Sequence, residues 1–264
     1  MESNSNNEEK SNEILLIIES KIKEGNEDIE DFSKKLIKLI LSKFKYEEIE
    51  NLMKAKLLNK KIYFIRHAEA EHNVLEAKYR DIRKSDVYDS KLTKYGKEQT
   101  METLNKMKKK NIKFDSVFIS PLTRTIQTFK LIKEYFDNKK TKFYITDFVK
   151  ELVSYCNKNK GVKLSELRKF LKENNLNIDS SFMTKEYWWF NHDINIENEY
   201  EGKLFPLRLQ IFVLWLIFRK ENNILIISHS HVHSIIQGKG IYNADFKELD
   251  KSYLFNFCVE LFNS

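Results

Sequence analysis

Apolar residues change their spacing near residue 60. Before that point Ile14, Leu15, Ile18 and Ile22 recur at helical steps. After Gly25-Asn26 the same spacing resumes with Phe32, Leu36, Leu39, Ile40 and Phe44, then Ile49, Leu52 and Met53. It predicts two or three amphipathic helices over 13–58. Residues 1–12 are polar throughout and are expected to be disordered. From Lys61 onward, short β-rich runs at 61–65, 116–120, 142–146, 223–228 and 253–261 alternate with helical periods near 94–109, 123–137, 164–173 and 204–220. This alternation predicts an α/β sandwich with a largely parallel sheet over 59–264, preceded by a helical extension over 13–58 and a tail over 1–12.

Composition narrows the class. The 264 residues are 41% hydrophobic and 13% aromatic, which excludes disorder over most of the length. Two cysteines, Cys156 and Cys258, are too few for a disulfide scaffold, and they form no CxxC pair. The first residues are polar and acidic, unlike a signal peptide. The longest apolar run, Leu209 to Phe218 between Arg208 and Arg219, is about half a bilayer span and is expected to be a buried helix. A cytoplasmic protein with no membrane partner is expected, and a homodimer is left open.

The net charge is +7, from 46 basic and 39 acidic residues. Residues 1–60 carry 11 basic and 13 acidic groups, so residues 61–264 hold 35 and 26, a net +9. Such a balance suits an anionic partner, or it reflects abundant lysine. No zinc finger, RNP-like block or Arg-rich stripe is present, so nucleic acid is not an expected partner.

In parallel α/β folds the chemistry gathers beyond the carboxyl ends of the strands. Arg66-His67 follows the first run, and Pro121-Leu122-Thr123-Arg124 the second. Asp147 to Glu151 follows the third, and His229-Ser230-His231 the fourth. Two guanidinium groups clamp a tetrahedral oxyanion such as phosphate. A histidine between them can attack phosphorus, and the arginines disfavour its imidazolium form. A second histidine can donate to the oxygens, and a carboxylate can protonate the leaving alcohol. This chemistry needs no metal or other cofactor.

The segment Arg66-His67-Ala68-Glu69-Ala70-Glu71-His72-Asn73 resembles the signature of the histidine phosphatase superfamily, which includes cofactor-dependent phosphoglycerate mutases. The segments Asp89-Ser90-Lys91-Leu92-Thr93-Lys94-Tyr95-Gly96-Lys97-Glu98-Gln99, Ser120-Pro121-Leu122-Thr123-Arg124-Thr125-Ile126-Gln127-Thr128 and Ile227-Ser228-His229-Ser230 resemble its remaining blocks, in the family order. The resemblance runs from about Lys61 to the C-terminus. It implies a three-layer, phosphoglycerate mutase-like sandwich in which His67 is the nucleophile and Glu151 the proton donor. Arg66, Arg124, His229, Asn73 and Ser230 would bind the phosphoryl group. Ala68 stands where the family usually has Gly, as in an Arg-His-Ala subgroup. Glu151-Leu152 with Cys156 fits that subgroup's acid, while Asp147 lies on the same connection as an alternative.

The implied activity is metal-independent hydrolysis of a small phosphorylated substrate. The alternative is a mutase primed by 2,3-bisphosphoglycerate. Against it, the chain lacks a Glu-Arg-x-Tyr block between Glu151 and Pro206 and has Ala-Glu-Ala after the nucleophile. Glu69, Glu71, His72, Arg83, Trp188 and Trp189 are candidates for substrate contact, with His192 nearby. The alternating His229, His231 and His233 would instead suit a metal-dependent hydrolase if all faced one way. An inactive interaction protein is a further alternative, although every expected catalytic position is filled. Taken alone, His67 could equally be a strand-end histidine bonded to a backbone carbonyl, and the Trp188 region could be core.

Overall fold

The computed structural model describes residues 2–25, 28–79, 87–137, 139–152, 157–189 and 204–263. Five strands form one sheet in the order β3-β2-β4-β1-β5: β1 (Lys61–Arg66), β2 (Ser116–Ile119), β3 (Lys142–Ile145), β4 (Asn223–Ser228) and β5 (Phe246–Glu248). The first four are parallel, and β5 runs antiparallel on the β1 edge. The residues of β1, β2 and β4 are buried on both faces, as a sheet covered by helices on each side requires.

The period-two alternation sorts two cores. Ile62, Phe64, Phe118, Tyr144, Ile224 and Ile226 face one layer. Tyr63, Ile65, Val117, Ile119, Phe143 and Ile227 face the other. The second layer holds α5 (Lys94–Lys110), α6 (Thr123–Ile132) and α7 (Leu164–Glu173), while α4 (Glu71–Lys78) lies at the strand ends. The first holds α8 (Leu204–Phe218), α9 (Ser230–Gln237) and α10 (Lys251–Val259). The result is a three-layer α/β sandwich with a mostly parallel sheet.

Three helices precede it: α1 (Glu2–Glu24), α2 (Ile29–Leu41) and α3 (Tyr46–Asn59). Their apolar stripes share the core of the first layer and lie against α8. This explains a feature of α8 itself. It is apolar all round, and every residue from Arg208 to Phe218 is buried. A helix of that kind needs neighbours on every side. The sheet covers one side and the amino-terminal helices cover another. Glu19 of α1 fixes the contact by accepting from Trp215 Nε1 at 3.1 Å and from Arg219 Nη1 at 2.7 Å.

Two expectations are corrected. Residues from Glu2 are helical rather than a disordered tail. Ser11 is buried, and ion pairs from Lys10 to Glu48 and from Lys56 to Glu8 tie this stretch to α3. The run 253–261 is not a strand but most of α10 and a 3-10 turn. Asp250 caps it by accepting from the Ser252 N–H, and Leu254, Cys258 and Leu261 are buried at helical steps. The fifth strand is the short segment Phe246–Glu248 instead.

Candidate active site

The sheet register brings the chemistry to one edge. Arg66 is level with Ser228, and Ile119 with Ile227, so the residues that follow β1, β2 and β4 emerge together. The ladder continues one step further, with His67 N–H donating to Ser228 O and Ser120 N–H to Ile227 O. His67, Arg124 and His229 are essentially inaccessible to solvent at 1%, 1% and 0% exposure. The rings of His72 and His229 lie 5.5 and 5.2 Å from that of His67, centre to centre.

The ring of His67 is oriented by its own chain. Nδ1 lies 2.8 Å from the Ala68 carbonyl oxygen, which can only accept, so Nδ1 carries the proton. Nε2 therefore presents a lone pair. Burial holds the imidazole far below the usual histidine range, with Arg124, His72 and Arg66 adding to the effect. His229 is kept neutral in the same way, first by burial and then by Arg124 and His67. Its Nε2 pairs with Ser120 Oγ at 2.7 Å. When Ser120 donates to that atom, the His229 proton sits on Nδ1.

Arg124 donates from Nη1 to Lys158 O and from Nη2 to Asn159 Oδ1, both at 2.9 Å. Arg66 donates from Nη1 to Ile241 O at 3.0 Å. Among the described residues, Arg66 Nε, Arg124 Nε and His229 Nδ1 are buried with no hydrogen-bond partner. A buried donor left unmade costs about 1–3 kcal/mol, and more when charged. Three such groups around one histidine form a cradle for an oxyanion. Burial pulls the Arg124 guanidinium down to about 10, partly offset by Glu151, Asp89 and Glu76, so it stays cationic at neutral pH.

Glu151 lies on the connection after β3. Arg208 of α8 grips that connection, donating from Nη1 to the carbonyl oxygens of Asp147, Phe148 and Lys150 at 2.9, 2.8 and 3.1 Å. Ser228 Oγ donates to Val149 O at 2.6 Å. Burial alone would raise the Glu151 carboxyl, but His231, the Leu152 N–H and Arg124 outweigh it and hold the group below the usual carboxylate range. Glu151 acts on both pocket arginines. Asp147 contributes its backbone carbonyl to the Arg208 grip.

Other predicted positions have defined places. Asn73 Oδ1 accepts from Ala70 N–H at 3.0 Å and closes the first turn of α4, while its Nδ2 reaches His72 Nε2 at 3.1 Å. His72 Nδ1 pairs with Ser90 Oγ at 2.6 Å. Ser230 opens α9, and its hydroxyl faces Ile241 O at 3.4 Å. Glu69 Oε1 accepts from Thr93 Oγ1 at 2.6 Å, and Glu71 Oε2 from Lys91 N–H at 3.0 Å. Trp188 is buried in the second layer and donates to Val162 O, with Trp189 packed against it. Arg83, Cys156 and His192 lie outside the described residues.

The family-like blocks have structural work as well. Gln99 and Gln127 accept from the backbone N–H groups of Glu69 and Leu92. A Cβ on Gly96 would sit 2.0 Å from the Glu69 carbonyl oxygen, so only glycine lets α5 approach this loop. The three alternating histidines do not converge. His229 meets Ser120, His231 meets Glu151, and His233 pairs with Lys239 O and packs on Phe64. The helix begins at Ser230, so positions two apart point to different sides.

Four contributors were not legible as site residues. Asn243 Nδ2 donates to His67 O at 3.0 Å and to Asn73 Oδ1 at 3.3 Å. Asp89 accepts from the Thr123 N–H and hydroxyl at the start of α6, one residue before Arg124. Arg208 and His231 complete the set. Asp89 stands at the head of the Asp89–Gln99 block and His231 in the histidine alternation, but neither pattern assigns the contact seen, since the partners of all four lie 34 to 176 residues away in sequence.

Residues 62–152 match the family model described as "Histidine phosphatase superfamily (branch 1)". A search of curated proteins gave no match. Similar solved structures include the alpha-ribazole phosphatase from Shigella flexneri, at 18% identity, 72% of this chain, 90% of that chain and TM-score 0.44. The ecdysone phosphate phosphatase from Bombix mori, in complex with tungstate, gives 14%, 71%, 87% and 0.47. The phosphoserine phosphatase from Entamoeba histolytica, in complex with 3-phosphoglyceric acid, gives 17%, 74%, 99% and 0.40. The matched stretch, residues 62–152, holds Arg66, His67, Arg124 and Glu151, and through it the chain is similar to the histidine phosphatase superfamily (branch 1).

Proposed function

We propose that the protein is a phosphomonoesterase that works through a phosphohistidine at His67. The observation that carries this reading is the lone pair on His67 Nε2 beside two buried, unpartnered guanidinium donors on Arg66 and Arg124, joined by His229 Nδ1 when Ser120 donates to the other ring nitrogen. The phosphoryl oxygens satisfy those donors, and Nε2 attacks phosphorus as the ester bond breaks. Of the two carboxylates considered, Glu151 is the one whose charge acts on both arginines, which favours it as proton donor to the leaving oxygen. In the second half-reaction it receives a proton from the attacking water, and His67 is released. The route asks for no metal, and a small phosphorylated molecule is its substrate class.

The test is phosphate release from p-nitrophenyl phosphate in excess EDTA, with His67→Ala alongside. Turnover that survives EDTA and vanishes in the variant is the expected result. Turnover retained by His67→Ala would sink the reading. Absence of hydrolysis, with transfer seen on 3-phosphoglycerate plus 2,3-bisphosphoglycerate, would replace hydrolysis by mutase activity.

A further inference from the structure

The first turn of α9 places a second titratable group on Glu151. His231 Nδ1 lies 3.3 Å from Glu151 Oε1, the same oxygen that accepts from the Leu152 N–H at 2.9 Å. The two side chains differ sharply in setting. Glu151 is 11% exposed and His231 65%, so one member of the pair is enclosed with the arginines and the other meets solvent.

This pairing bears on a problem in the proposed mechanism. A carboxyl that must protonate a leaving group needs a proton, yet Glu151 is held ionised at neutral pH by His231, the Leu152 N–H and the nearby arginines. The partner shifts the opposite way. The hydrogen bond and charge of Glu151 raise the His231 imidazole, against burial, Lys158 and Arg66. A proton shared by the pair is therefore favoured on the imidazole side.

We infer that His231 is a positioning residue that holds the proton Glu151 delivers and links that buried carboxylate to solvent. The inference rests on the phosphohistidine reading. An incoming phosphoryl group adds negative charge beside Glu151, which favours moving the shared proton onto Oε1. As His67 Nε2 bonds to phosphorus, the ester P–O bond breaks and its electron pair goes to the leaving oxygen. That oxygen takes the proton from Glu151, and His231 is left neutral. In the second step water bonds to phosphorus, and its proton passes to Glu151 and back to His231. The P–N electron pair returns to Nε2. The sum is ester plus water giving alcohol plus phosphate, with the pair restored.

The experiment follows kcat/KM against pH for p-nitrophenyl phosphate and phenyl phosphate, which differ little in shape but strongly in how much the leaving oxygen needs a proton. Wild type, His231→Ala and His231→Gln are compared, with His67→Ala as the control. On phenyl phosphate, His231→Ala is expected to lose at least about tenfold near pH 7.5 and to move the alkaline limb down by about one unit or more. On p-nitrophenyl phosphate the loss stays within about threefold. His231→Gln keeps a donor near Glu151 but no titrating proton, so it should restore KM and not the limb. An unmoved limb in His231→Ala, a wild-type limb in His231→Gln, or an equal loss on both esters would overturn the inference. Turnover by His67→Ala would overturn the phosphohistidine reading and this inference with it, and a wild type inert toward both esters would overturn hydrolysis as the activity and this inference with it. A second readout is independent of turnover: the His231 imidazole resonance should titrate at lower pH in Glu151→Gln, and an unchanged midpoint would count against the pair.

Discussion

Nδ1 of His67 lies 2.8 Å from the carbonyl oxygen of Ala68, the next residue in the chain. One backbone group thus settles which ring nitrogen is free to react. His67→Ala should lower turnover by about a thousandfold or more. Brief reaction of the wild type with phosphate-labelled substrate should trap a phosphoenzyme that survives alkali and is lost in acid. The variant should trap none.

Arg124 is a strut in the structure and a clamp in the proposed reaction. Arg124→Lys keeps a charge but not the fork that holds Lys158 O and Asn159 Oδ1. A fall in kcat/KM of at least about a hundredfold is expected, with the affinity for the inhibitors phosphate and vanadate weakened in parallel. Inhibitor titration separates the lost binding from any lost proton transfer.

The pocket histidines make stability depend on acid. His67, His72 and His229 all have proton affinities lowered first by burial and then by the arginines. The unfolded chain takes up protons near pH 6.5 while the folded chain does not, so stability is present above that pH and falls as pH drops below it. Each histidine contributes about 1.4 kcal/mol per pH unit in that window. Urea midpoints at pH 7, 6 and 5 should fall steadily, and His72→Asn should flatten the decline.

Gly96 is a point of close approach. Gly96→Ala places a methyl group against the Glu69 carbonyl oxygen and must push α5 away from the loop that carries His67. A loss of about 1–3 kcal/mol is expected, together with reduced kcat. Thermal unfolding and steady-state kinetics on the same preparation test both.

Glu19 fastens the amino-terminal helices to the rest of the chain. Glu19→Ala leaves the Trp215 N–H without its acceptor and removes one of the carboxylates on Arg219, for a loss of about 1–3 kcal/mol by urea unfolding. Removal of residues 1–58 uncovers the apolar outer side of α8 and should yield aggregated protein.

The pocket was readable in sequence because its groups follow β-rich runs directly, so parallel pairing had to bring them to one edge. Arg66-His67, Arg124, Glu151 and His229 each needed only a strand end to be located. The larger cause of the depressed His67 was not readable. The sequence suggested the arginines, whereas burial, which depends on the whole packed structure, ranks first. The same limit applies to Arg208, whose three carbonyl partners lie some sixty residues upstream. Residues 253–261 misled because Tyr253, Phe255, Phe257 and Val259 alternate like a strand, while Asp250 and the buried Leu254, Cys258 and Leu261 decide for a helix. The first dozen residues are polar enough to read as a tail, but ion pairs to α3, some forty residues away in sequence, hold them in a helix.

Helix α8 is gripped near both ends. Arg208 holds the connection that bears Glu151, and Arg219, just beyond Phe218, is tied to Glu19 of α1. A single rod of buried side chains therefore spans from the amino-terminal cover to the acid of the proposed reaction. Loosening one end removes the support of the other, which makes the two regions one cooperative unit in hydrogen exchange. Amides of α1 and of the 147–150 turn should then exchange at a common rate, as if the cover and the carboxylate's hinge were parts of a single gate.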